Sequence, residues 1–318
     1  GDANALVEIL KRFADIVERA HLDKLVPSAA YALYHCPGKL SFHAMACHYP
    51  AIGVRMIQMA IYNERQINFI RESCAILHKV MEHLRTVVRE GVTTDEIDSI
   101  AEKMILEADA EPAFKGVRGN PDYPATCCIS INEEIVHGIP GERKLQSGDI
   151  VSIDCGAKYK GYYSDAAFTF SVGDVSETAF NLMKATNAAL LEGSKKAVPG
   201  NRVGDISAAI QSTAEGHGFS VVRHLYGHGL GANLHEEPAI FNFGNPGTGI
   251  ELKPGMVIAI ETMVCEKDYH IVTLDDGWTV VTADGSLSAH YEDSFLITEN
   301  GNENLTKINI EGDPLLRV

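Results

Sequence analysis

No apolar run in the chain approaches the roughly 18 residues of a membrane-spanning helix, so no such span is expected. Positive charge is scarce: 27 Lys and Arg stand against 43 Asp and Glu, leaving a formal net charge of −16. Phosphate recognition needs clustered Lys and Arg, so direct nucleic-acid binding is not expected. No export signal is expected. The first twenty residues carry Asp2, Glu8, Lys11, Arg12, Asp15, Glu18 and Arg19, a mixed-charge amphipathic pattern. Cysteine is sparse, odd in number at seven, and irregularly spaced, which argues against a disulfide framework. Reduced thiols and a cytoplasmic location are the expectation.

What is present fits a folded protein. The 318 residues are 45% hydrophobic and 22% charged, enough for a large core in two domains or one with an extension. The first 62 residues read as an N-terminal extension of unsettled structure. Leu6, Ile9, Leu10, Phe13, Ile16 and Val17 have helical spacing over 3–20. The stretch 27–55 holds His35, Cys36, His43, Cys47 and His48, but in no zinc-finger spacing, so no structural zinc is expected there.

From residue 63 the pattern sharpens. A long helix is expected over 64–89, stopped by Gly91, then a second over 95–109 capped by Thr94. Strands are expected at 126–131, 149–155 and 162–171. The order then repeats: helices at 177–197 and about 204–217, and strands at 219–225, 256–264, 278–283 and 291–298. Gly91 to Ile97 (GVTTDEI) aligns with Gly200 to Ile206 (GNRVGDI), and Leu145 to Asp154 (LQSGDIVSID) with Leu252 to Glu261 (LKPGMVIAIE). The two offsets, 109 and 107 residues, predict a duplicated half and two pseudo-equivalent lobes.

Both duplicated strands end in a carboxylate, Asp154 and Glu261, after an apolar run. A buried charge there is costly without a cation. A hairpin turning on Lys158-Tyr159-Lys160-Gly161 would set Asp154 opposite Asp165 on one face. Two bare carboxylates so close repel, and a divalent metal removes the conflict. His228, in Gly227-His228-Gly229-Leu230-Gly231, and Glu292, in His290-Tyr291-Glu292-Asp293, complete a set of four carboxylates and one imidazole. Such oxygen-rich ligation suits a pair of divalent ions, Co, Mn, Fe or Zn.

The segments SINEEIVHGIP (130–140), GDIVSIDCG (148–156), YSDAAFTF (163–170), YGHGLG (226–231), LHEEPAIFNFG (234–244), LKPGMVIAIETMV (252–264) and DDGWTVVTADGSLSAHYED (275–293) resemble, in order and spacing, the type I methionine aminopeptidases. The resemblance implies an α+β pita-bread fold: two pseudo-symmetric halves, with an antiparallel sheet covered by helices, as a catalytic domain over 63–318. It implies that Asp154 chelates one metal, Asp165 and Glu292 bridge two, and His228 and Glu261 bind the other. It also implies that His137 and His235 contact the scissile peptide. Glu261 would shuttle a proton, and Tyr123, Cys128, Leu234 and Trp278 would line a pocket for Met. The substrates implied are N-termini of nascent polypeptides with small second residues, and the state implied is a monomer; ribosome association stays open.

The chain departs from the family pattern in places. Phe114 to Pro124 is about two residues longer than usual. Val117 and Leu234 stand where larger side chains are common. Asp293 replaces a usual His and His290 a usual Gln, so that Tyr-Glu-Asp resembles the Xaa-Pro peptidases of the same fold. A proline-specific aminopeptidase is therefore the alternative, and a non-catalytic peptide-binding module the more distant one.

Overall fold

The computed structural model of the protein describes residues 59–307. The helix expected over 3–20 and the His/Cys stretch over 27–55 lie outside the described residues.

Helix α1 (Glu64–Val87) starts at a capping box: Asn63 accepts from the Gln66 N–H, and the Gln66 side chain accepts from the Asn63 N–H. Its buried stripe includes Ile67, Ile70, Cys74, Leu77, Met81 and Leu84. The helix ends at Val87, before Gly91. That glycine, at φ 86°, instead turns the chain so that its N–H reaches the Leu145 carbonyl at 2.8 Å. Helix α2 (Thr94–Glu107) is capped by Thr93 rather than Thr94. The Thr94 hydroxyl is committed elsewhere, donating to the Gly141 carbonyl and accepting from its N–H.

Next come β1 (Glu111–Pro112), β2 (Cys127–Ile131), β3 (Glu134–Val136), β4 (Ile150–Tyr159) and β5 (Tyr162–Ser171). Helices α3 (Glu177–Ser194) and α4 (Val203–Gly216) precede β6 (Ser220–Val221), β7 (Tyr226–Gly229) and β8 (Glu236–Phe241). The chain continues through β9 (Val257–Cys265), β10 (Ile271–Thr273), β11 (Val280–Thr282), β12 (Ser288–Thr298) and β13 (Gly301–Asn304). Of the strand expected at 219–225 only Ser220–Val221 forms, and the next strand begins beyond it at Tyr226. Arg223 breaks the run by leaving the sheet to lie over the Tyr269 ring, 4.1 Å from its centroid.

The main sheet is antiparallel and runs β1-β4-β5-β12-β9-β7-β8, with β2 beside β4, β6 beside β9 and β13 beside β12. The buried faces of the four helices share one core with Ile153, Phe168 and Tyr291 from the sheet. A small second sheet runs β10-β11-β3.

The duplication is written into the backbone. Gly91 N–H bonds to the Leu145 carbonyl and Gly200 N–H to that of Leu252; Leu145 N–H bonds to Val92 and Leu252 N–H to Asn201. Isolated bridges join Thr93 to Lys144 and Arg202 to Glu251. Each pair is related by the same two offsets read from the sequence. The strands β5 and β12, one from each half, meet at the centre of the sheet.

Candidate metal centre and substrate pocket

Sheet register explains how distant residues reach one place. Cys128 lies opposite Asp154, Asp154 opposite Ala167, Ala167 opposite Glu292, and Glu292 opposite Glu261. Residues in register across antiparallel strands share a face. One row therefore crosses five strands and carries three carboxylates. Asp165 sits two positions before Ala167 on the same face. His228, opposite Ala259, is diagonal to Glu261.

The hairpin register differs from the expected one. The turn is the two residues Lys160-Gly161, both at positive φ, and Tyr159 pairs with Tyr162. Positive φ at both positions gives the tight primed turn that matches strand twist. The pairing therefore slips by two: Asp154 faces Ala167, and Asp165 faces Gly156. A two-residue slip preserves the face, so the aspartates are diagonal neighbours instead of direct ones.

The ligand atoms of Asp165, His228 and Glu292 lie within 4.8 Å of one another, as do those of Glu261, His290 and Glu292. His228 Nε2 is 3.4 Å from Glu261 Oε1 and 3.8 Å from Asp165 Oδ2. Its Nδ1 lies 2.9 Å from the Gly229 carbonyl. A carbonyl only accepts, so Nδ1 carries the proton and Nε2 presents a lone pair to the carboxylates. Asp154 falls in neither triplet but touches Asp165 through its side chain.

Electrostatics show what the cluster costs by itself. Burial, then mutual repulsion, pushes the carboxyls of Asp165 and Glu292 well above the usual range; burial and the charge of Asp154 do the same to Glu261. Burial raises Asp154 to about 7. Burial also lowers His228 to about 3, with a contribution from His235. Asp154 Oδ1, Asp165 Oδ1, Glu292 Oε1 and both ring nitrogens of His290 are buried with no hydrogen-bond partner. Lone pairs left over among crowded carboxylates fit divalent cations, which take such oxygens together with imidazole nitrogen.

His137 and His235 flank this cluster without joining either triplet. The His137 backbone is left-handed, at φ 60°, an uncommon conformation for a non-glycine residue that aims its ring inward. Gly138 follows it because a Cβ there would strike the Ile129 carbonyl. Burial, reinforced by His235, lowers His137 to about 4, so its ring is neutral. The exposed His235 ring stands perpendicular to His228, with centroids 4.5 Å apart.

Tyr123, Cys128, Leu234 and Trp278 belong to one apolar cluster. Tyr123 and Trp278 meet edge to face at 5.1 Å, and Trp278 also meets His137 at 6.0 Å. The longer loop after Phe114 closes this side: the Trp278 indole N–H donates to the Pro121 carbonyl at 2.7 Å. Tyr62 is an unexpected contributor. Its hydroxyl donates to the Glu236 carboxylate and accepts from the Ala232 N–H at 2.9 Å, tying down the segment that carries Leu234 and His235. His290 was not among the expected ligands either. Its position two residues before Glu292 on the same strand face was the available signal.

A duplicated antiparallel sheet carrying a buried carboxylate–imidazole cluster is the architecture of a metal-dependent hydrolase. Residues 68–299 match the metallopeptidase family M24, and the chain belongs to that family. The chain is 50% identical over 246 residues to a methionine aminopeptidase of Clostridium perfringens, covering 77% of this chain and 98% of that protein. It is 46% identical over 244 residues to methionine aminopeptidase 1 of Bacillus subtilis, covering 77% and 97%. Among solved structures, methionine aminopeptidase from Thermotoga maritima superposes with a TM-score of 0.76 at 42% identity, covering 79% of this chain and all of that one. The prolidase from Pyrococcus furiosus gives 0.64 at 26% identity, covering 78% and 66%. The pita-bread fold expected from the motifs is the fold the chain adopts. No helix among the described residues is long and apolar enough to cross a membrane.

Proposed function

We propose that the protein is a methionine aminopeptidase acting on the N-termini of new polypeptides, with Asp154, Asp165, His228, Glu261 and Glu292 holding two divalent ions. The observation that carries this reading is the row itself. Cys128, a member of the apolar cluster with Tyr123, Leu234 and Trp278, is the direct cross-strand neighbour of Asp154, so that cluster abuts the carboxylates at one strand spacing. A peptide whose first side chain packs against that apolar cluster brings its α-amine and first carbonyl to the acidic cluster. The free terminal amine would be a donor to an ion held there, which accounts for exopeptidase action.

Divalent ions bound there would supply Lewis acidity toward water and the scissile carbonyl. Glu261 would take the proton from the attacking water and pass it to the leaving amine. His137, held neutral by burial, and His235 are able to donate N–H bonds to the peptide and to the developing oxyanion. Tyr123, Cys128, Leu234 and Trp278 bind the Met side chain and exclude water. The sequence-based expectations of a monomer in the cytoplasm accompany this proposal.

The test is a comparison of Met-Ala-Ser and Ala-Pro-Pro cleavage by the metal-loaded full chain. Release of Met with no action on Ala-Pro-Pro is expected. Turnover of the proline peptide alone would replace this reading with the Xaa-Pro one.

A further inference from the structure

His290 has the surroundings of a metal ligand. It lies two residues before Glu292 on β12, so both side chains leave the same face of the sheet. Its Nε2 is 3.9 Å from Glu261 Oε2, too long for a hydrogen bond. That separation suits two donors on one ion at about 2.0–2.2 Å each. The ring is only 1% exposed, and neither of its nitrogens has a hydrogen-bond partner. A buried imidazole with two idle nitrogens is a costly arrangement unless a ligand takes one of them.

The backbone under His290 is held on both sides. Its N–H donates to Thr169 Oγ1 at 3.0 Å, and its carbonyl accepts from the same hydroxyl at 2.7 Å. Thr169 in turn meets Ser152 at 2.8 Å. These fasteners sit on β4 and β5, the strands that carry Asp154 and Asp165. The ring is therefore aimed by the same frame that aims the carboxylates.

We infer that His290 is a sixth ligand of the centre, placing an imidazole nitrogen on the ion held by Glu261 and Glu292. This rests on the two-ion reading above and deepens it. The centre then has two imidazoles, His228 and His290, facing each other across Glu261. A richer nitrogen content shifts preference from Mn(II) toward Zn(II) and Co(II).

The test uses the full chain, stripped of metal, with ¹⁵N-labelled histidine and titrated with Zn(II). Long-range ¹H–¹⁵N spectra then count the ring nitrogens that move to the metal-bound position. Two are expected, from His228 and His290. His290→Gln should leave one, weaken Zn(II) retention against a chelator by about ten-fold or more, and narrow the preference for Zn(II) over Mn(II). The wild-type titration decides even where the variant folds poorly. A shift of His228 alone, with His290 unmoved at saturation, overturns the sixth ligand and leaves the five-residue centre standing. Failure of the wild type to retain Zn(II) at all overturns the centre, and the sixth ligand with it.

Discussion

Crowded carboxylates predict an unusual pH dependence for the metal-free protein. A carboxyl whose pKa is higher folded than unfolded keeps its proton in the native state after the unfolded chain has lost it. Native stability then falls as pH rises between those two values. Burial sets Asp154 at about 7 against an unfolded value near 3.8, and holds Asp165, Glu261 and Glu292 higher than usual as well. The buried histidines act oppositely. His228 at about 3, His137 at about 4 and His290 at about 3 are all below 6.5, so the unfolded chain binds the extra protons and stability falls as pH drops below 6.5. Between pH 5 and 6.5 the folded state keeps the protons of four carboxyls while the unfolded chain binds those of three histidines, so the folded state holds about one more.

Each proton held only by the folded state contributes about 1.4 kcal/mol per pH unit. One such proton over 1.5 units gives roughly 2 kcal/mol. For a body of this size that lowers the melting temperature by about 4–8 °C. The assay is thermal unfolding from pH 5 to 8.5 in chelator, repeated with saturating Mn(II) or Co(II). Metal-free stability should fall as pH rises from 5 to 6.5. Bound metal should erase the fall, because cations replace the protons. Asp154→Asn should flatten this fall without metal. Rising stability from pH 5 to 6.5 in chelator would refute the crowding argument.

Tyr62→Phe removes a hydroxyl bonded to Glu236 and Ala232, so unfolding in denaturant should show a loss of about 2 kcal/mol, with a lower kcat/KM because His235 loses its anchor. Gly138→Ala puts a methyl against the Ile129 carbonyl and displaces His137; kcat/KM on Met-Ala-Ser should fall about 100-fold while metal content by elemental analysis is unchanged. Leu234→Ala enlarges the pocket, raising KM for a Met substrate by about ten-fold with kcat less affected. Ala167→Leu fills the middle of the carboxylate row; calorimetric titration should show metal binding abolished while circular dichroism remains native.

The periodicity of apolar residues placed all four long helices to within a few residues, since each buries one continuous stripe. The duplicated phrases were legible because both copies need the same turn: a glycine at positive φ, then paired backbone bonds to the strand's approach. The hairpin register was not legible. Counting outward from Lys158-Tyr159-Lys160-Gly161 gives a four-residue turn, whereas Lys160 accepts the left-handed conformation and shortens it to two. The side-chain alternation survived that error because the slip was even. Tyr62 and Ala167 escaped notice for different reasons. An isolated Tyr outside any periodic segment carries no sign of its partners 170 and 174 residues away. A small residue matters only through the space it leaves.

The halves are equivalent in backbone but not in chemistry, and that asymmetry explains the centre. Asp154 and Glu261 occupy matching positions on β4 and β9, so duplication alone would give two facing carboxylates. The first half adds Asp165; the second adds Glu292, His228 and His290. The first half, with Asp154 and Asp165, holds too few donors to satisfy an ion, and the two strands that meet at the seam, β5 and β12, carry Asp165 and Glu292. Repulsion between the halves is therefore greatest where they join. A cation at that point would turn this repulsion into a cross-link between the halves. Metal binding and cohesion of the two lobes should accordingly rise and fall together.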